Sequence, residues 1–133
     1  MEDTQKTDKD RVCIFFQTRD ELVKVEIPKV IFFKSDGNYT KVTFANGCET
    51  TVLTTLANIE TLLDERLAGR VKPFIRIGKS FIVNTAYIFH INIPRQRLVL
   101  TDCINPTVYT LTIGREALKA IKQLYIEKSL WKL

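Results

Sequence analysis

The sequence predicts a mainly β fold with one internal helix and one C-terminal helix. Three observations lead there. Short runs of alternating apolar and polar residues recur along the chain, turn-forming clusters separate them, and only two stretches have helical spacing. The regular strand–helix alternation of a parallel doubly wound sheet is absent. With 133 residues and 45% hydrophobic content, one domain able to bury a core without disulfide or metal staples is expected.

Residues 1–10 are polar and mixed in charge and read as a disordered lead-in or linker remnant. The folded domain is placed at residues 11–128, with a short tail over 129–133. Val12 to Gln17 opens the β pattern, and Leu22 to Ile27 alternates apolar and charged residues until Pro28 interrupts it. Val30 to Phe33 is a third β-prone run. Ser35-Asp36-Gly37-Asn38 is a turn cluster leading into a strand over Tyr39 to Phe44. Asn46-Gly47 is a hairpin signal, with Cys48 to Leu53 as the returning strand. Thr54 or Thr55 can then cap a helix whose apolar face holds Leu56, Ile59, Leu62, Leu63 and Leu67, and Gly69 stops it. Strands resume at Phe74 to Ile77, Phe81 to Val83, Tyr87 to Ile93, Arg97 to Thr101 and Tyr109 to Ile113. Gly114 opens the second helix, with Leu118, Ile121, Leu124 and Tyr125 on one face and an end near Lys128.

Charge narrows the function. The net charge is +5, but residues 1–10 carry −2 and the remainder +7. Between Arg70 and Arg97 stand six bases, Arg70, Lys72, Arg76, Lys79, Arg95 and Arg97, and no acid. Such a stretch makes a positive field, for which nucleic acid is the commonest polyanionic partner. The first helix carries Glu60, Asp64 and Glu65 against Arg66, and no second helix follows it, so a helix-turn-helix is excluded. Loops between strands must do any reading of DNA. No apolar run approaches the ~20 residues that span a bilayer, and no signal peptide opens the chain, so the expected location is the cytoplasm.

Catalysis is a poor fit. Ser80, His90 and Asp102 can be written as a triad, but no nucleophile elbow or oxyanion loop surrounds them. Strand alternation puts His90, the single histidine, on the face opposite Phe89 and Ile91. The glycines form no phosphate-cradling pattern, and Cys13, Cys48 and Cys103 lack metal-ligand spacing. They read as reduced, buried core thiols. No enzyme activity, cofactor or metal is expected.

Three stretches join turn chemistry to polar side chains. In Asp36-Gly37-Asn38-Tyr39-Thr40-Lys41, Asn38 and Thr40 can bond phosphates or base edges and Lys41 can neutralise a phosphate. In Phe74 to Asn84 the β pattern breaks at Gly78-Lys79-Ser80, so a small loop presents Lys79. In Leu111-Thr112-Ile113-Gly114-Arg115, Arg115 stands at the start of a helix, where the dipole prefers anions. A phosphate or guanine edge would justify it there.

In this order and spacing, the three stretches resemble the LytTR family of bacterial DNA-binding domains over roughly Val12 to Glu127. The most specific element is Phe74-Ile75-Arg76-Ile77-Gly78-Lys79-Ser80-Phe81-Ile82-Val83-Asn84, similar to F-x-R-x-x-[RKN]-S-[FY]-x-V-N. Val30 to Phe33 with Gly37 to Thr40, the helix after Thr54, and Ile113-Gly114-Arg115 support it. The resemblance implies an elongated fold of about ten mostly antiparallel short strands. It also implies loops inserted into successive major grooves with bending of the DNA, in the setting of bacterial two-component transcription regulation. Carried over by position, the contacts are Thr40, Lys79 and Arg115, with Asn38, Lys41 and Ser80 flanking them on the backbone. Arg76 and Asn84 match family positions, with a DNA contact and a structural role both open. Gly78 stands where many members carry histidine or another polar residue, and Thr112 where proline is frequent. Members usually follow a phosphoacceptor receiver domain or a membrane segment, and neither fits into residues 1–10.

The leading expectation is a sequence-specific regulator of double-stranded DNA acting as two copies on paired sites, with a sensor or receiver partner. The alternatives are a β-rich RNA or single-strand binder and a protein-interaction module with an incidental basic face. The aromatics Phe15, Phe32, Phe44 and Phe81 lie on apolar runs rather than as stacking platforms, which favours duplex over single strand.

Overall fold

The structure, a computed structural model, describes residues 12–127; the expected lead-in and tail, with Trp131, lie outside that range. It is mainly β, with ten strands and two α-helices among the described residues. The strands are β1 (Cys13–Gln17), β2 (Leu22–Glu26), β3 (Val30–Asp36), β4 (Tyr39–Phe44), β5 (Glu49–Val52), β6 (Phe74–Ile77), β7 (Phe81–Asn84), β8 (Ile88–Asn92), β9 (Arg97–Leu100) and β10 (Tyr109–Thr112). The helices are α1 (Leu56–Arg66) and α2 (Arg115–Glu127). Every strand pairing is antiparallel. The described residues divide into two compact units, 12–85 and 86–127.

The first unit holds the β1–β2 hairpin and a five-stranded sheet in the order β5-β4-β3-β7-β6. Its core joins Ile14 and Val25 of the hairpin, Phe33, Val42, Val52 and Ile82 of the sheet, and Leu56, Ile59, Leu63 and Leu67 at helical spacing. Phe33 is fully buried, its ring 5.8 Å from that of Phe74. On the other face of β3, Phe32 meets Phe81 edge to face at 6.0 Å. Thr55 caps α1, its hydroxyl accepting from the Asn58 amide at 3.2 Å, an interaction that typically stabilises a helix by about 1 kcal/mol. Thr54, the other capping option, accepts from the Asn58 side chain instead.

The second unit has a three-stranded sheet in the order β10-β9-β8, with α2 against it. Leu98, Leu100, Leu111, Ile113, Leu118 and Ile121 are its buried apolar residues. A register irregularity between Ile88 and His90 interrupts the alternation, so Phe89 is 67% exposed although strand periodicity put it on the buried face. His90, paired with Val99, is also exposed. Leu124, expected on the apolar stripe of α2, is exposed because the buried face of the helix stops at Ile121.

The cysteines correct another expectation. Cys48 and Cys103 are exposed and Cys13 is half-buried. Cys48 belongs to the β4–β5 turn, where its amide donates to Asn46 Oδ1 at 2.9 Å, and β5 starts one residue later than the pattern placed it. Cys103 sits in the loop after β9 at φ +61°. Turn chemistry decided both places, and the apolar character of the thiol did not.

Candidate nucleic-acid interface

In the first unit, β3 and β4 are joined by two residues, Gly37 and Asn38, with Asp36 opposite Tyr39. Gly37 takes φ +65°, the positive value that the first position of a type II′ turn requires. Asn38 is exposed at its tip. Beside this turn, β6 and β7 are joined by Gly78-Lys79-Ser80, with Ile77 opposite Phe81. The Ser80 carbonyl accepts from the Ser35 amide at 2.8 Å, which fastens the loop alongside the last turn of the β3–β4 hairpin. Asn38, Lys79 and Ser80 are therefore exposed at one end of one sheet, with Lys41 a few residues below the turn.

The Gly78–Ser80 loop is held in shape. Arg76 Nε donates to the Gly78 carbonyl at 2.9 Å, while its Nη1 reaches Glu60 of α1 at 2.8 Å. Gly78 takes φ +58°, a left-handed conformation that a side chain at this position would strain. That accounts for the glycine at this position. Lys79 is exposed at the crest and makes no ion pair among the described residues.

Three of the sequence-matched positions have tasks inside the protein. Thr40 is completely buried, and its hydroxyl donates to the Thr54 carbonyl at 2.8 Å. A side chain so enclosed cannot meet a phosphate, so Thr40 drops out of the contact set. Asn84 is 2% exposed and its Nδ2 donates to the Val30 carbonyl at 2.9 Å, tying β7 to the start of β3. Arg76 is the loop anchor just described. Lys41 is partly exposed and lies 3.9 Å from Glu49, an exposed pair of the sort that contributes little to stability.

The sheet also brings forward a residue that sequence reading missed. Lys34 is exposed directly opposite Lys41 on the same face of the β3–β4 ladder, and it makes no ion pair among the described residues. The hairpin register could have exposed it, since counting back from Gly37-Asn38 pairs these two lysines. The acid-free run from Arg70 to Arg97 is, conversely, less basic than it reads. Arg76 is matched by Glu60 at 2.8 Å and Lys72 by Asp64 at 3.5 Å, both on α1.

In the second unit, Arg115 is the first residue of α2, with Gly114 as the preceding cap: the Gly114 carbonyl accepts from the Leu118 amide at 3.0 Å. Arg115 is exposed, and Nη2 donates to the Pro94 carbonyl at 3.2 Å. A guanidinium has five N–H donors, so one anchoring bond orients the group and leaves the others available. Asp102 is not a catalytic acid in waiting. Its Oδ1 accepts from the Ile104 and Asn105 amides at 2.9 and 2.8 Å, and its Oδ2 from Asn105 Nδ2 at 2.7 Å. These bonds, led by that of Ile104, hold its carboxyl below the ordinary aspartate range. Burial, with a smaller contribution from the Asp102 charge, pushes the Tyr87 phenol up. Among the described residues no group of three or more His, Cys, Asp or Glu is placed to hold a metal ion. No described helix is long and apolar enough to cross a membrane.

The sequence profile of the LytTr DNA-binding domain matches residues 20–126. The chain belongs to the LytTR family. This family is one of DNA-binding domains and not a catalytic one. A solved structure with the same LytTR fold is the LytTr DNA-binding domain of a Bacillus cereus protein described as a methyl-accepting/DNA response regulator. It is 22% identical, with a TM-score of 0.60, over 86% of this chain and 96% of that one. No curated protein matches the sequence.

Proposed function

We propose that this LytTR chain binds double-stranded DNA sequence-specifically, with loops entering the major groove, and regulates transcription in the bacterial cytoplasm. The observation that carries the reading is Lys79: an exposed ammonium with no acidic partner among the described residues, on a loop fastened by Arg76 and Ser80. A cation presented on a rigid crest loses little conformational freedom on binding. Lys79 meets guanine O6 and N7 or a phosphate, and Arg115 takes a guanine edge with its planar fork. Asn38, Lys41 and Ser80 hold backbone phosphates and set the register. Two copies act on paired sites, under a sensor or receiver partner.

The test is selection of bound sequences from random duplex DNA at moderate salt, followed by Lys79→Ala and Arg115→Ala on the selected site. Each replacement should weaken binding by about 1–3 kcal/mol. Wild-type affinity in both variants refutes the residue assignment. A single strand that competes better than the duplex refutes the duplex reading.

A further inference from the structure

Arg115 does not stand alone at its end of the second unit. The connection between β8 and β9, residues 93–96, is fixed by its own bonds and by the chain leading into α2. Asn92 Oδ1 accepts from the Arg95 amide and the Ile93 carbonyl from the Gln96 amide, both at 3.1 Å. From outside, Ile113 N donates to the Gln96 carbonyl at 3.0 Å and Arg115 Nη2 to the Pro94 carbonyl at 3.2 Å. Gln96 is held at φ +56°, a left-handed conformation that residues other than glycine seldom adopt. The surrounding bonds over-determine that conformation, and strain kept in this way points to a shape that matters.

That shape brings three arginines to one end of the sheet. Arg95 lies in the turn, next to the carbonyl that Arg115 binds. Arg97 pairs with Asn92 on one side and Thr112 on the other, so its side chain leaves the sheet on the face opposite the buried Leu98 and Leu111. Arg95, Arg97 and Arg115 are all exposed, and none makes an ion pair among the described residues. The carboxylate adjacent in sequence, Glu116, is 3.5 Å from Lys119. Three like charges gathered without a counter-charge repel one another, and a polyanion relieves that repulsion.

We infer that the β8–β9 turn is a further DNA-binding element, in which Arg95 and Arg97 hold backbone phosphates beside the point where Arg115 reaches the bases. The inference rests on the duplex-binding reading above and adds to it an element outside the three loops. It assigns a positioning task, so it predicts a loss of affinity without a loss of discrimination.

The experiment compares wild type with Arg95→Gln, Arg97→Gln, the double glutamine variant and a double lysine variant. Binding to the selected duplex and to a random-sequence duplex is followed by fluorescence anisotropy between about 50 and 200 mM salt. The slope of log K against log salt should fall by about 0.9 for each arginine replaced by glutamine. The ratio of selected to random affinity should stay constant, and the double lysine variant should keep the wild-type slope. An unchanged slope in the double glutamine variant overturns the inference and leaves the three-loop reading intact. A ratio that falls with the slope overturns it too, since Arg95 or Arg97 would then be reading bases. Wild-type protein that binds no duplex at any salt overturns both readings together.

Discussion

Thr40 and Asn84 show how a polar residue can be spent on the fold's own backbone. Both are polar groups at positions where the family motif suggests contact, and both are almost fully enclosed. An enclosed hydroxyl or amide left unbonded costs about 1–3 kcal/mol, so each needs an internal partner, which Thr54 and Val30 provide through their carbonyls. Asp102 applies the same logic in an exposed loop. Its charged form is stabilised by the amides of Ile104 and Asn105, so its folded pKa lies below the unfolded one. The resulting stability is fully present above the unfolded aspartate value and is lost as pH falls through the folded one. Carboxyl NMR titration should therefore find Asp102 protonating later than an ordinary aspartate. Asp102→Asn should flatten the acid side of the pH–stability curve, and an ordinary midpoint would refute the assigned cause.

At the scale of elements, the β3–β4 hairpin sets two like charges side by side. Lys34 and Lys41 stand opposite each other, an arrangement that costs a ladder part of its stability. Lys34→Gln should raise Tm slightly at low salt, with the gain fading as salt screens the pair. A Tm that drops, or a gain indifferent to salt, would show that Lys34 supports the sheet by packing. Element identity was readable from the sequence wherever period-2 or 3.6 patterns met clear turn chemistry, as at Gly37-Asn38 and at Thr55 before α1. What escaped depends on partners distant in sequence. Arg76 finds Glu60 16 residues away and Thr40 finds Thr54 14 residues away, and no local pattern announces either. The exposure of Phe89 escaped for another reason, because a single irregularity in pairing reverses the faces that follow from alternation. The loop bearing Lys79 was legible because three non-strand residues interrupt two strong runs. Its rigidity was not, because that depends on an arginine whose second bond reaches a helix.

For the molecule as a whole, the net charge of +5 overstates the basicity of some regions and understates that of others. The acids of α1 take up Arg76 and Lys72, while Lys79, Arg95, Arg97 and Arg115 remain without ion pairs among the described residues. If two copies act together, selected duplexes should carry the same half-site twice, with centres about 10–10.5 bp apart or at a multiple of that spacing. A mobility-shift titration on such a duplex should show two successive complexes, and a lone half-site with one complex would refute pairing. The turn positions of two cysteines also make the chain easy to instrument. Cys48 belongs to the first unit and Cys103 to the second, both are open to solvent, and Cys13 is the more sheltered thiol. With Cys13 replaced, a donor and an acceptor dye could be attached without adding a residue. Energy transfer between them would then report, molecule by molecule, whether the two units change their spacing when duplex DNA is added.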